Sequence, residues 1–154
     1  MKHLVTRGQR FAEATFAESK HVDATALIET DQDLITLTVP SSSCDGDAEE
    51  AREVFRKAVE QVVAQSKVRS VTIIAEVWFL VESRFSSEAR PPLRNLRREA
   101  LVVHVETPTE FSVTLSEITR WGPDAKLGSW RAVSTLYLPG LTNFLPKPSD
   151  VYVN

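Results

Sequence analysis

The chain has a single cysteine, Cys44, in 154 residues, so an internal disulfide is excluded. That scarcity suits a reducing compartment, and the cytoplasm is the default expectation. Long hydrophobic runs are also missing. No window of about 18 residues is free of charge, so no membrane-spanning helix is expected. The first ten residues carry Lys2, Arg7 and Arg10 where a secretory leader needs an apolar stretch. Glycine is scarce: the five glycines, at 8, 46, 122, 128 and 140, form neither Gly-x-Gly-x-x-Gly nor Gly-x-x-x-x-Gly-Lys, which excludes the common phosphate loops. There is no Gly-x-Ser-x-Gly elbow for a serine nucleophile. Cys44 has no histidine near it in sequence and reads as an inert thiol. A basic excess is lacking too. Eighteen Lys and Arg stand against 21 Asp and Glu, a net charge of −3, which argues against a dedicated nucleic-acid binder.

What is present is enough apolar sequence, 42% of residues, to build a core without a metal or a disulfide. A chain of this length buries roughly 68–70% of its unfolded surface. It reads as one domain, residues 1–154, with 1–22 and 141–154 peripheral. The clearest helix is expected over 47–66. Ala51, Val54, Phe55, Ala58, Val59, Val62 and Val63 recur at i, i+3, i+4, i+7 spacing, with Asp47 and Glu50 placed as a capping box. Glu53 and Lys57 form a favourable i, i+4 pair. A short helix is expected over 7–20 from its alanines and glutamates, although its apolar spacing is poor.

The strands are read from alternation and β-branched density. Ala24–Glu29 and Leu34–Val39 flank a polar Thr30–Asp33 and read as a hairpin. The run from Val71 has one wholly apolar face, Val71, Ile73, Ala75, Val77, Phe79 and Val81. Its other face is mixed: Thr72, Ile74, Glu76, Trp78, Leu80 and Glu82. Residues 99–106 and 111–116 follow as further strands, and Trp130–Leu138 reads as a last one. The order β-β-α-β-β-β defines an α+β fold, an antiparallel sheet of five to six strands with one long amphipathic helix on one face. The second face is left for the N-terminal segment, the tail or a second copy of the chain.

Four short segments carry a resemblance: Ala75-Glu-Val-Trp78, Arg98-Glu-Ala-Leu-Val-Val103, Glu117-Ile-Thr-Arg120 and Asn143-Phe-Leu-Pro146. Over residues 45–146 the chain resembles a group of small proteins of bacteria and their phages. In that group a Glu-x-Trp strand precedes an Arg-Glu-x-Leu strand. The resemblance implies no activity and no catalytic residue.

Two groups of residues could carry chemistry. Glu76 stands in an apolar run, and His104 and Glu106 share one face of their strand. Converging, the three could bind a metal or do acid–base work, as in a metal-dependent hydrolase. The structural alternative pairs Glu76 with Arg97, Arg98 or Arg120, because a buried carboxylate is costly unless paired. The second group lies between the two longest strands, where Arg84, Arg90, Arg94, Arg97 and Arg98 stand against one Glu. With Trp78 beside them they could clamp the backbone of RNA or single-stranded DNA. A solvated loop, or a partner-docking arm stiffened by Pro91-Pro92, would look the same. The expectation is a non-enzymatic interaction or accessory protein of phage descent. No cofactor and no metal are implied. A protein partner or a homodimer is the expected association, rather than nucleic acid or a membrane.

Overall fold

The computed structural model describes residues 1–40, 48–80, 97–133 and 141–145. Their elements run α1 (Lys2–Ser19), β1 (Thr25–Thr30), β2 (Leu34–Thr38), α2 (Ala48–Gln65), β3 (Val68–Leu80), β4 (Arg97–Glu106), β5 (Phe111–Trp121), β6 (Asp124–Leu127) and β7 (Arg131–Ala132). The fold is α+β. One antiparallel seven-stranded sheet has the order β2-β1-β3-β4-β5-β6, with β7 also paired to β5. Among the described residues, no helix is long and apolar enough to cross a membrane.

The α2 stripe packs where its spacing directs it. Phe55 and Val59 are fully buried in one cluster with Ala26, Ile28, Val71, Ile73, Ala75 and Val102, and Val77 and Phe79 pack against it. The Glu53–Lys57 pair forms, at 3.7 Å. Asp47, the expected cap, lies outside the described residues.

The other face differs from the expected two-layer arrangement. It is covered by α1, which begins at Lys2 rather than 7. Leu4, Ala12 and Phe16 are buried against Leu27, Ile74, Leu101, Val103, Val105 and Ile118. The N-terminal segment, expected at the periphery, thus contributes Leu4, Ala12, Phe16 and Val22 to the core, and the sheet is sandwiched between two helices. The α1 contact stripe is Leu4, Gly8, Ala12 and Phe16, strictly i, i+4. Two of its four members are too small to register as hydrophobic signal. Leu141, Phe144 and Leu145 of the tail are buried on the α2 side.

Gly8 sits where α1 crosses β3 and β4. A Cβ there would lie 2.7 Å from Val103 Cγ1 and 2.9 Å from Thr72 Cγ2. In an ordinary helix interior, Gly→Ala gains about 1 kcal/mol. Here overpacking against two β-branched side chains costs about 1–3 kcal/mol. Gly8→Ala is therefore expected to lower the denaturant midpoint. A raised midpoint would show that the helix can lift off the sheet freely.

Of the last expected strand, Arg131 and Ala132 pair with Leu115 and Thr114, and 134–140 lie outside the described residues. The sheet also gains β6 through the two-residue turn Gly122-Pro123, with Gly122 at φ 57°. Glycine tolerates that left-handed conformation without strain.

Candidate functional site

The antiparallel register decides the first group of candidates. Glu76 pairs with Leu101, whereas His104 pairs with Ile73 and Glu106 with Val71. Paired residues share a face, so Glu76 lies on the α1 face and His104 and Glu106 on the α2 face. The three cannot converge, because a sheet stands between them. Among the described residues, no group of three or more His, Cys, Asp or Glu is placed to hold a metal ion.

Glu106 is 1% exposed and satisfied from within the fold. One carboxylate oxygen accepts the backbone N–H of Asn143 at 2.7 Å. The other accepts those of Phe144 and Leu145 at 2.8 and 2.7 Å. Asn143 takes φ 63° to turn these amides inward. From α2, Arg56 donates to the Thr142 carbonyl at 3.0 Å and stacks over Phe144 at 4.8 Å. Glu106 is thus the anchor of the 141–145 segment. His104 is buried beside Phe111, ring centroids 6.1 Å apart.

Glu76 belongs to a different polar cluster, built where α1 ends. Lys20 closes the helix in the left-handed conformation, its N–H bonded to Phe16 O at 2.7 Å. The chain then turns along β3. Glu76 accepts the Val22 N–H at 2.8 Å and meets His21 Nδ1 at 3.2 Å. His21 Nε2 meets Asp23 at 2.9 Å. Arg120, from β5, donates through Nε to both Glu99 oxygens at 3.1 and 2.9 Å, and through Nη1 to the Lys20 carbonyl at 2.8 Å. Its Nη2 reaches Glu76 at 3.4 Å. Of the arginines considered for Glu76, Arg120 is the partner found.

Partial burial works against a charged His21. The hydrogen bond to Asp23 and the charge of Glu76 together outweigh it, and the pKa is raised above its ordinary 6.5. When the ring is protonated, each of its nitrogens donates to a carboxylate, Nδ1 to Glu76 and Nε2 to Asp23, and the contact ties the end of α1 to the sheet. A notch of about 240 Å³ opens beside it, lined by His21, Asp23, Arg52, Phe55, Glu76 and Trp78 among others. That is smaller than most ligand pockets, which run to roughly 300–1,000 Å³.

Two outcomes follow for this cluster. A raised folded-state pKa means that the His21 contribution is complete below the unfolded value and lost as pH rises through the folded one. Wild-type melting temperature is therefore expected to fall as pH rises from 6 through the region above 6.5. His21→Gln should lack that component, and parallel pH profiles for the two proteins would refute it. Glu76→Gln keeps an acceptor for Val22 but removes the charge facing Arg120 and His21. A loss of about 1–3 kcal/mol is expected, the scale of a hydrogen bond to a charged group. An unchanged or higher melting temperature would mean that Glu76 is not held as a structural pair.

The second group of candidates is described only in part. Arg84, Arg90 and Arg94 lie outside the described residues. Arg97 opens β4 opposite Leu80. Arg98 is exposed, 3.6 Å from Glu117. Trp78 is 67% exposed and pairs with Glu99, whereas Arg98 pairs with Phe79. Trp78 and Arg98 therefore occupy opposite faces of the β3–β4 pair. Trp130 behaves as a core cap, its indole N–H bonded to Glu13 at 2.6 Å.

The two outer edges of the sheet are unlike each other. β6 is four residues long and carries Asp124 and Lys126, a charged edge of the kind that discourages further pairing. β2 reads Leu-Ile-Thr-Leu-Thr, with no charge, no proline and no bulge in its pairing with β1. The hydrogen bonds Thr30 N–H to Asp33 O, 2.8 Å, and Val39 N–H to Ala24 O, 3.2 Å, set its phase. By antiparallel alternation Asp33, Ile35, Leu37 and Val39 turn their backbone groups towards β1. Leu34, Thr36 and Thr38 turn theirs outward, and among the described residues no strand pairs with them. Sequence reasoning identified this strand but not its position at the edge, which no local pattern encodes.

Compared with known proteins, the chain matches no family model, no curated protein and no solved structure.

Proposed function

We propose that the protein is a non-enzymatic interaction module that recruits its partner by strand addition along β2. The observation that supports this reading is the uncharged outer edge of β2 in a sheet whose other edge is charged and short. Natural sheets protect long uncharged edges, because the unpaired backbone groups template association. Main-chain hydrogen bonds then supply affinity and alternate side chains supply specificity. The polar groups that suggested catalysis are engaged elsewhere: Glu106 by three tail amides, and Glu76 by Val22, His21 and Arg120. An accessory role of phage descent is in keeping with the sequence resemblance.

Residue-resolved amide exchange in the presence of a Thr-Val-Thr-Val-Thr peptide tests the reading. The amides of Leu34, Thr36 and Thr38 are expected to slow, while those of Asp124–Leu127 stay unchanged. No slowing at the three β2 amides would overturn it.

A further inference from the structure

The outward groups of β2 are self-complementary. We infer that the partner on this edge is a second copy of the chain, paired antiparallel about a two-fold axis at Thr36. The inference rests on the reading of β2 as the working surface and names its occupant.

Leu34, Thr36 and Thr38 each present one N–H and one C=O outward, as the phase set by the Thr30–Asp33 and Ala24–Val39 bonds requires. An axis at Thr36 places Thr36 opposite Thr36 of the other copy and Leu34 opposite Thr38. Every outward donor then meets an outward acceptor, and none is left over. A register moved by two residues leaves outward groups of both chains unpaired. A one-residue slip sets outward groups against inward ones.

The side chains agree with that register. Ile35 and Leu37 point to the α2 side and pack, partly buried, on the core cluster. Across the axis Ile35 meets Leu37 of the other copy, so apolar contacts continue from one core to the next. On the opposite side Thr36 meets Thr36, a favourable cross-strand pair. Leu34, 48% exposed, gains Thr38 as a neighbour. No charged residue lies within 34–38, so no like charges are brought together. Asp33, the nearest charge, falls opposite Val39 of the other copy in this register, and Asp31 is engaged by Arg69 at 2.6 Å and Lys67 at 3.8 Å.

Both sheet faces are covered by the chain's own helices, which removes the face-to-face homodimer that a one-helix fold would invite. A two-fold edge contact is isologous and closes at two copies. The charged β6 edge then ends the joined sheet on either side. A strand pair alone buries less than the roughly 1,200 Å² of a standard interface, so the dimer should dissociate on dilution.

Cysteine cross-linking reads the register directly, in a full-length Cys44→Ser background. Thr36→Cys brings two thiols together at a hydrogen-bonded pair, where Cα atoms stand about 5.5 Å apart, within disulfide reach. Thr38→Cys leaves them four residues out of register, roughly 13 Å. Under mild oxidation Thr36→Cys is expected to give a covalent dimer. Thr38→Cys alone and Leu34→Cys alone should remain monomeric, while their mixture should give the mixed dimer. Light scattering on the Cys44→Ser parent should show a mass that rises with concentration, and Thr36→Lys should abolish the rise. No covalent dimer from Thr36→Cys, or equal dimer from Thr38→Cys, would overturn the inference. If the strand peptide still slows the three β2 amides, only the identity of the occupant falls. If it does not, the edge itself is not a binding surface.

Discussion

Glu106→Ala is expected to lower stability by about 3–5 kcal/mol, since it strips three backbone amides of a charged acceptor. The carboxylate is 1% exposed and holds Asn143, Phe144 and Leu145 by their N–H groups at 2.7–2.8 Å. Alanine leaves those donors buried and unmatched. Water can reach them only if the segment lifts away, which exposes Leu141, Phe144 and Leu145. Glu106→Gln should recover part of it, because its oxygen can still accept the Phe144 and Leu145 N–H groups while its N–H₂ would face that of Asn143. The loss has a position as well as a size: the chain should become cleavable by protease near 141–145 before the sheet unfolds. A denaturant midpoint close to wild type, with the tail still resistant, would contradict the anchoring role.

Phe55→Ala is expected to cost a similar amount, about 3–5 kcal/mol, through lost transfer energy and an unfilled cavity. Phe55 is fully buried under α2, with Val59, Val71 and Ile73 in the same cluster. The ring spans the gap between helix and sheet, and β-branched strand residues cannot collapse into the space it leaves. Val54→Ala, one residue earlier on a 44% exposed position, supplies the contrast. It should stay within about 0.5 kcal/mol of wild type. Equal effects from the two would mean that the α2 stripe is rotated from the face described.

The α2 stripe was legible because its contact residues are themselves large and apolar, so packing and periodicity carry one signal. The α1 stripe was obscured for the converse reason. Gly8 and Ala12 make close contact by being small, and a pattern of hydrophobicity does not count absence of volume. The wall of polar residues around Phe11 and Phe16 further masked an 18-residue helix as a short one.

The candidate sites divide along the same line. That Glu76 needs a partner followed from its apolar neighbours alone, and Arg120 was among those considered. That His104 and Glu106 share a face also followed, since strand side chains alternate with period two. Whether Glu76 joins them depends on the pairing of β3 with β4, and a single step in that register decides it. His21 comes to Glu76 across 55 residues of sequence and brings Asp23 with it, and Glu99 joins through Arg120. No local spacing could have announced them.

Elements that repeat a local pattern can be read from the residues alone: α2, the β1–β2 hairpin, the long β3 and β4, the alternating β5, and hence the α+β class. Which helix covers which face, which carboxylate meets which cation and which strand stands at the edge emerge from the folded chain. Local patterning specifies a residue's face on its own helix or strand. Its neighbours across a sheet depend on register and strand order, which are settled by the packing of the whole chain.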